Sequence, residues 1–266
     1  MSSLTAWVDG VGLLGPGLSN WSAARAILRG EAAYESRPTV LPTPDSLPPA
    51  ERRRTGGVVK LALAVGLEAA SRAAVHPSHL PTVFSSSGSD GQNCHEICQV
   101  LASSDRQLSP TRFHNSVHNV AAGYWSIANG ARAPSNSLCA FDASFAAGLL
   151  EALSQVATDR STCLLIAYDS QYPEPLFSKR PIPDAFGVAL LLSPSPRSGS
   201  MARISATLSD SQADRLAHAP LEALRLAIPA ARSLPLLQSF ARHQARRVVL
   251  DYLDDLRLAV ESEPCA

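Results

Sequence analysis

Residues 136–151 read NSLCAFDASFAAGLLE. The stretch opens apolar, breaks at Phe141-Asp142-Ala143-Ser144, and resumes as small and apolar residues at helical spacing. A strand that stops abruptly before such a helix aims a side chain at the helix N-terminus. Free N–H groups and the helix dipole favour negative charge there. A cysteine at that point would be a reactive thiolate. The candidates are Cys139, Asp142 and Ser144. Cys139 falls inside the predicted strand, 136–141, where a small buried hydrophobe is the expected role. Asp142 falls at the turn, where a carboxylate can cap the helix. Capping and a catalytic use of Asp142 both remain open at this point.

Outward from the turn, strands and helices alternate. Upstream, 109–115 reads as a loop and 116–130 as a helix ending at Gly130. Residues 80–91 read as a strand running into small polar residues, followed by a helix over 92–103. The nearly all-apolar 58–74 predicts a helix buried on most sides. Residues 35–55, with five prolines, predict an irregular surface segment. A strand over 5–17 and a helix over 18–31, capped by Ser19 or Asn20, open the chain. Downstream, 162–170 and 181–194 contain buried strands, 202–209 a further strand, and 220–245 short helices. In 247–262, Val248, Leu250 and Tyr252 alternate before Asp254-Asp255, and Leu256, Leu258 and Val260 after it, which predicts a hairpin. Such alternation indicates an α/β protein with helices layered around a central sheet.

The 266 residues are 45 % apolar and 17 % charged, with 23 basic and 23 acidic side chains and a net charge of 0. That balance argues against a nucleic-acid-binding surface. No apolar run approaches the roughly 18 residues needed to span a bilayer. The N-terminus lacks the basic start and apolar core of a signal peptide, so a cytosolic protein is expected. The cysteines Cys94, Cys98, Cys139, Cys163 and Cys265 are an odd number at irregular spacing, consistent with free thiols in a reducing compartment. Cys94-His95-x-x-Cys98 lacks a second ligand pair, so no metal is implied; small buried residues on one helix face are expected instead. No GxSxG, GxGxxG, Walker A or HExxH pattern occurs. No cofactor is implied. His114 and His118 are expected in loop or surface roles.

The order and spacing of GVGLLGPGLSNWSAARAILRGE (10–31), TVFSSSGSDGQN (82–93) and SPTRFHNSVHNVAAGYWSIANGARAPSNSLCAFDAS (109–144) resemble the N-terminal half of β-ketoacyl synthases, as do LLIAYDSQYPEP (164–175) and DAFGVALLLSP (184–194). The resemblance implies a thiolase-like fold over residues 1–200, with 201–266 a short helical and hairpin extension in place of a second half, all in a single domain. In active ketosynthases a cysteine nucleophile follows the G-x-x-x-P-S pattern; counted from Ala133-Pro134-Ser135, its position falls on Asp142. Aspartate cannot form the acyl thioester that condensation needs. The family's histidine motifs are also missing.

Both departures make the chain similar to a chain-length factor. This is the non-condensing, catalytically inactive partner of an active ketosynthase in type II polyketide systems. The similarity is greatest to the short form of aryl polyene and xanthomonadin-type pigment clusters. The resemblance implies an edge-to-edge heterodimer with an active ketosynthase and transient contact with acyl carrier protein. It also implies that Gly91, Cys94 and Cys98 face the partner's acyl tunnel, with ordinary close packing at the interface as the alternative. An autonomous acyltransferase or hydrolase using Cys139, Ser144 or Asp142 is one competing class, and a purely structural homodimer with no part in chain length is another.

Overall fold

The computed structural model describes residues 3–265; the start of the N-terminal segment read against a signal peptide, Met1-Ser2, lies outside them. Eight strands form one sheet: β1 (Leu4–Leu14), β2 (Thr82–Ser85), β3 (Ser135–Leu138), β4 (Cys163–Asp169), β5 (Phe186–Ser193), β6 (Ala202–Ser209), β7 (Arg246–Asp251) and β8 (Arg257–Pro264). Their spatial order is β3-β2-β4-β5-β1-β6-β8-β7. The pairs β2–β3 and β2–β4 are parallel and the others antiparallel, so the sheet is mixed. The helices are α1 (Trp21–Arg29), α2 (Pro49–Arg52), α3 (Gly57–Arg72), α4 (Gly91–Ala102), α5 (Pro110–His114), α6 (Val120–Asn129), α7 (Ser144–Asp159), α8 (Leu176–Lys179), α9 (Ala219–Ala227) and α10 (Leu234–Arg242).

The apolar runs CLLIAYD and FGVALLLS are buried at every position because helices cover both faces of the sheet. Side chains alternate between two cores. Cys163, Leu165 and Ala167 join the layer of α1, α7, α9 and α10, and Leu164, Ile166 and Tyr168 join that of α3 and α6. Each Val or Leu of α3 so buried contributes about 1.5–3 kcal/mol. The backbone of α3 lies directly on β1. A Cβ at Gly12 would sit 1.9 Å from the Val65 carbonyl oxygen, and one at Gly10 2.2 Å from that of Ala69. Glycine is therefore required at both positions.

The mixed, helix-covered sheet agrees with the expected fold class. Beyond β1, strands β6, β8 and β7 continue the sheet, and in the hairpin Val248 opposes Val260 and Leu250 opposes Leu258. Asn20, one of the two proposed caps, accepts from Ala23 N at 2.9 Å. Gly130 closes α6 in the left-handed region, at φ 61°.

Four local expectations need correction. Residues 109–115 are not all loop, because Pro110 at the first helical position, with its φ already helical, starts α5. Pro49 does the same for α2 inside the expected irregular segment. The helix expected from 116 begins at Val120, since 116–119 are taken up by turns in which Ser116 N donates to Phe113 O at 3.1 Å and Val120 N to Val117 O at 3.2 Å. Finally, β3 stops at Leu138, which leaves Cys139 outside the strand.

Candidate functional site

The parallel strands β3, β2 and β4 end on one side of the sheet and deliver the Phe141–Ala143 turn, the Ser86–Asp90 loop and Asp169 to a common region. Residues Phe141–Ala143 form a 3-10 turn directly before α7. Phe141 has φ 51°, a left-handed conformation that strains a bulky L residue, and its side chain is 61 % exposed. Ser144 holds the turn from below: its Oγ donates to Phe141 O at 2.7 Å and accepts from Ala140 N at 3.1 Å.

Asp142 does not cap the helix. Its Oδ1 accepts from Arg180 Nη2 at 2.6 Å and its Oδ2 from Arg232 Nη2 at 3.0 Å. Two charge-assisted bonds to guanidinium groups outweigh one bond to a peptide N–H. The Arg180 guanidinium also lies over the Phe141 ring, 3.7 Å from its centroid. The Nε atoms of both arginines are buried without hydrogen-bond partners, so Asp142 is the group that compensates them. Beside the turn, the β7–β8 hairpin tip overhangs a cavity of about 760 Å³ lined by Phe141, Asp142, Arg232, Leu253 and Leu256, among others.

Asp169, at the end of β4, is fully buried and accepts from Ser87 N at 2.9 Å, Ser87 Oγ at 2.5 Å and Ala230 N at 2.8 Å. Burial pushes its carboxyl up to about 6 despite these donors and the nearby Arg180.

On α4, Asp90 caps the helix by accepting from Asn93 N at 3.0 Å. Gly91 is buried, but Cys94 and Cys98 are exposed, contrary to the expectation of small buried residues. The reason is that α4 buries only Gly91 and Asn93 and turns its thiol face away from its own chain. Partial burial, then the neighbouring Cys98, raises the Cys94 thiol above its ordinary value, the opposite of an activated nucleophile. Cys139 is likewise exposed, with Sγ 3.3 Å from Ser87 O, and is not the buried hydrophobe expected within the strand. His118 Nε2 lies 3.3 Å from Ser86 O, and exposed His114 meets Tyr124 edge-on. Sequence reasoning missed Arg180, Arg232, Asp169 and Tyr172, which lie far from the turn in the chain and carry no local motif.

The site is thus a carboxylate held at the turn between β3 and α7. The family model described as the N-terminal domain of beta-ketoacyl synthase matches residues 20–247. The chain belongs to the β-ketoacyl synthase family. Among solved structures, a ketosynthase in complex with its chain length factor from Xenorhabdus doucetiae contains a similar chain. That match has a TM-score of 0.73 and 24 % identity, and it covers 97 % of this chain and 99 % of that one. The ishigamide ketosynthase/chain length factor matches with a TM-score of 0.72 and 14 % identity over 98 % and 100 % of the two chains. A type II polyketide synthase acyl-carrier protein in complex with its ketosynthase bound to the hexaketide matches with a TM-score of 0.74 and 9 % identity, over 99 % and 100 %. At these identities the likeness establishes the thiolase-like ketosynthase fold. No curated protein matches the chain. Among the described residues, no helix is long and apolar enough to cross a membrane, and no group of His, Cys, Asp or Glu is arranged to hold a metal ion.

Proposed function

We propose that the chain is the non-condensing chain-length-factor subunit of a ketosynthase heterodimer, acting in the cytosol on acyl chains carried by acyl carrier protein. What carries this reading is Asp142 at the strand-to-helix turn, the position at which the sequence resemblance places the family's cysteine. Its carboxylate is paired with Arg180 and Arg232, and a carboxylate at this position cannot form the acyl thioester that condensation needs. The only hydroxyl at the turn, Ser144, is buried and spent on the turn's own backbone. Similarity to chains of ketosynthase/chain-length-factor complexes, over nearly the whole of both chains, supports the same reading.

A free sheet edge supports the heterodimer. β3 is the outermost strand beside β2, and its Ser135 and Asn136 are exposed. Ile127 is exposed on α6, which packs against β2 and β3, and Leu101, Phe113 and Val117 are further exposed apolar side chains on α4, on α5 and just before α6, a composition suited to a covered face. In this reading the partner supplies cysteine and histidines, and the exposed face of α4 with Cys94 and Cys98 borders its acyl tunnel. By the sequence resemblance the product is a polyene of the aryl polyene type.

Co-expression with the ketosynthase encoded nearby tests the proposal. The two chains are expected to co-purify, and the ketosynthase alone is expected to lose activity or product-length control. Equal performance by the ketosynthase alone, with no co-purification, rejects it. Replacing Cys94 with Phe in an intact heterodimer is expected to shorten the products. Unchanged length would reject the tunnel-wall role of α4.

A further inference from the structure

The helix that carries the two exposed thiols is tied to its own chain at its first turn and by the ion pair of Glu96 with Arg112. It buries only Gly91 and Asn93. Asn93 N is held by Asp90, and Asn93 Nδ2 donates to Arg112 O at 2.9 Å. A further support is Tyr172, on the loop after β4. A Cβ at Gly91 would lie 2.8 Å from Tyr172 Cδ1 and 2.9 Å from Cε1, and one at Gly88 would lie 1.9 Å from the Tyr172 hydroxyl. Neither glycine has a positive φ, so the ring, not the backbone conformation, is what requires them.

Tyr172 is itself anchored. Its N–H donates to Ile182 O at 3.1 Å, its side chain packs against the core that holds α7, and its hydroxyl lies near Arg180 and Ser87. Ser87 in turn donates to Asp169, and Arg180 to Asp142. One connected set of side chains thus runs from the Asp142 turn to the base of α4.

We infer that Tyr172 is a positioning residue for product length: its ring sets how far α4 stands off its own core, and hence how much room the Cys94–Cys98 face leaves beyond it. The inference rests on the proposed function, in which that face borders the partner's acyl tunnel. Cys98 lies about 10 Å along the helix from Gly91 at 1.5 Å per residue, so a small tilt at the base moves the far thiol further.

The geometry makes two predictions of opposite sign. Removing the ring lets α4 settle inward and widens the space beyond it. Adding a methyl group at Gly91 pushes the helix outward and narrows that space.

The test uses the full chain co-expressed with its ketosynthase, with product length read by mass spectrometry from purified heterodimer. Tyr172→Ala is expected to shift products longer and Gly91→Ala shorter. The double variant is expected to return towards the parent distribution, and Tyr172→Phe, which keeps the ring, to leave length unchanged. A merely structural role would lower yield in both single variants, without opposite shifts or mutual correction, and would overturn the inference. Should Tyr172→Ala not assemble, Gly91→Ala and Tyr172→Phe still decide: no shortening by the first, or a length change by the second, overturns it. Cys94→Phe serves as the reference. If it shortens products while the Tyr172 and Gly91 variants leave length unchanged, this inference alone fails. If it too changes nothing, the tunnel reading fails and the inference falls with it.

Discussion

The two edges of the sheet are treated in opposite ways. At one end, β7 is covered: Asp214 Oδ2 accepts from Val249 N at 2.7 Å, Asp214 N donates to Val249 O at 2.8 Å, and Arg246 closes on Oδ1 at 2.7 Å. At the other end, β3 is left open, and the aspartate that follows it, Asp142, bonds to two arginines of its own chain and not to the strand. An uncovered edge offers unpaired N–H and C=O groups to another chain, and proteins commonly block edges that are not used. The contrast teaches that the chain uses a side chain to close the edge of its C-terminal hairpin and none to close β3, the strand that leads into the Asp142 turn.

The largest test of this contrast is Asp142→Ala. It leaves two partly buried guanidinium groups facing each other, with Nε atoms already unpaired. With the discount for partial exposure, the cost should be about 3 kcal/mol in urea denaturation of the isolated chain. A loss near 1 kcal/mol, the size of a helix cap, would break the account of Asp142 as a clamp. Asp142→Asn, which keeps acceptor geometry on one side, should lose less.

Next in size is a pH effect behind the open edge. The Asp169 carboxyl titrates at about 6 in the folded chain, against roughly 3.9 unfolded. Its folded value is raised, so the unfolded state loses this proton first. The stabilisation is fully present below about pH 4, declines as pH rises through 6, and is gone above it. The component should be on the order of 2 kcal/mol between pH 4 and 7. Asp169→Asn should abolish it while lowering stability at low pH, because its amide cannot accept from all of Ser87 and Ala230. A pH dependence retained by the Asn variant would place the titration elsewhere.

Much of this architecture is legible in the residues, and the reason is local periodicity. Runs such as CLLIAYD and FGVALLLS announce strands covered on both faces, and the alternation in 247–262 announces the hairpin. The Asp142 turn was legible as a place but not as a set of contacts. Its partners lie 38 and 90 residues away, and no spacing rule links an aspartate to arginines at such distances. Cys94 and Cys98 mislead for another reason. Small residues one helical turn apart suit a buried packing face and an exposed interface face equally, and only the scant burial of α4 separates the two.

Asp214→Ala probes the covered edge. It removes the acceptor of Val249 N and the partner of Arg246, at an expected cost of about 1–2 kcal/mol. More telling is the second expected outcome: with β7 uncovered, the isolated chain should self-associate with concentration in light scattering. A variant that loses stability but stays monomeric would mean that Asp214 anchors its loop without guarding the edge.

The smallest expected effect is at the open edge, where a charge should act only between chains. Ser137 is half-buried on β3 and lines a shallow cleft with His118, Asn119 and Gly123 at the start of α6. Lysine there is a device by which edges are protected from pairing. Ser137→Lys keeps the strand's own bonds to β2, which run through Thr82–Ser85, so the isolated chain should change by no more than about 0.5 kcal/mol. Assembly with the ketosynthase should weaken about tenfold, or ~1.4 kcal/mol, measured by titration calorimetry of the two purified chains. Arg247→Gln on the covered β7 edge is the matched control and should leave assembly unchanged. If both substitutions weaken assembly alike, the partner does not distinguish the two edges, and the openness of β3 has no bearing on pairing. If only Ser137→Lys does, the bare strand is where the second sheet continues the first.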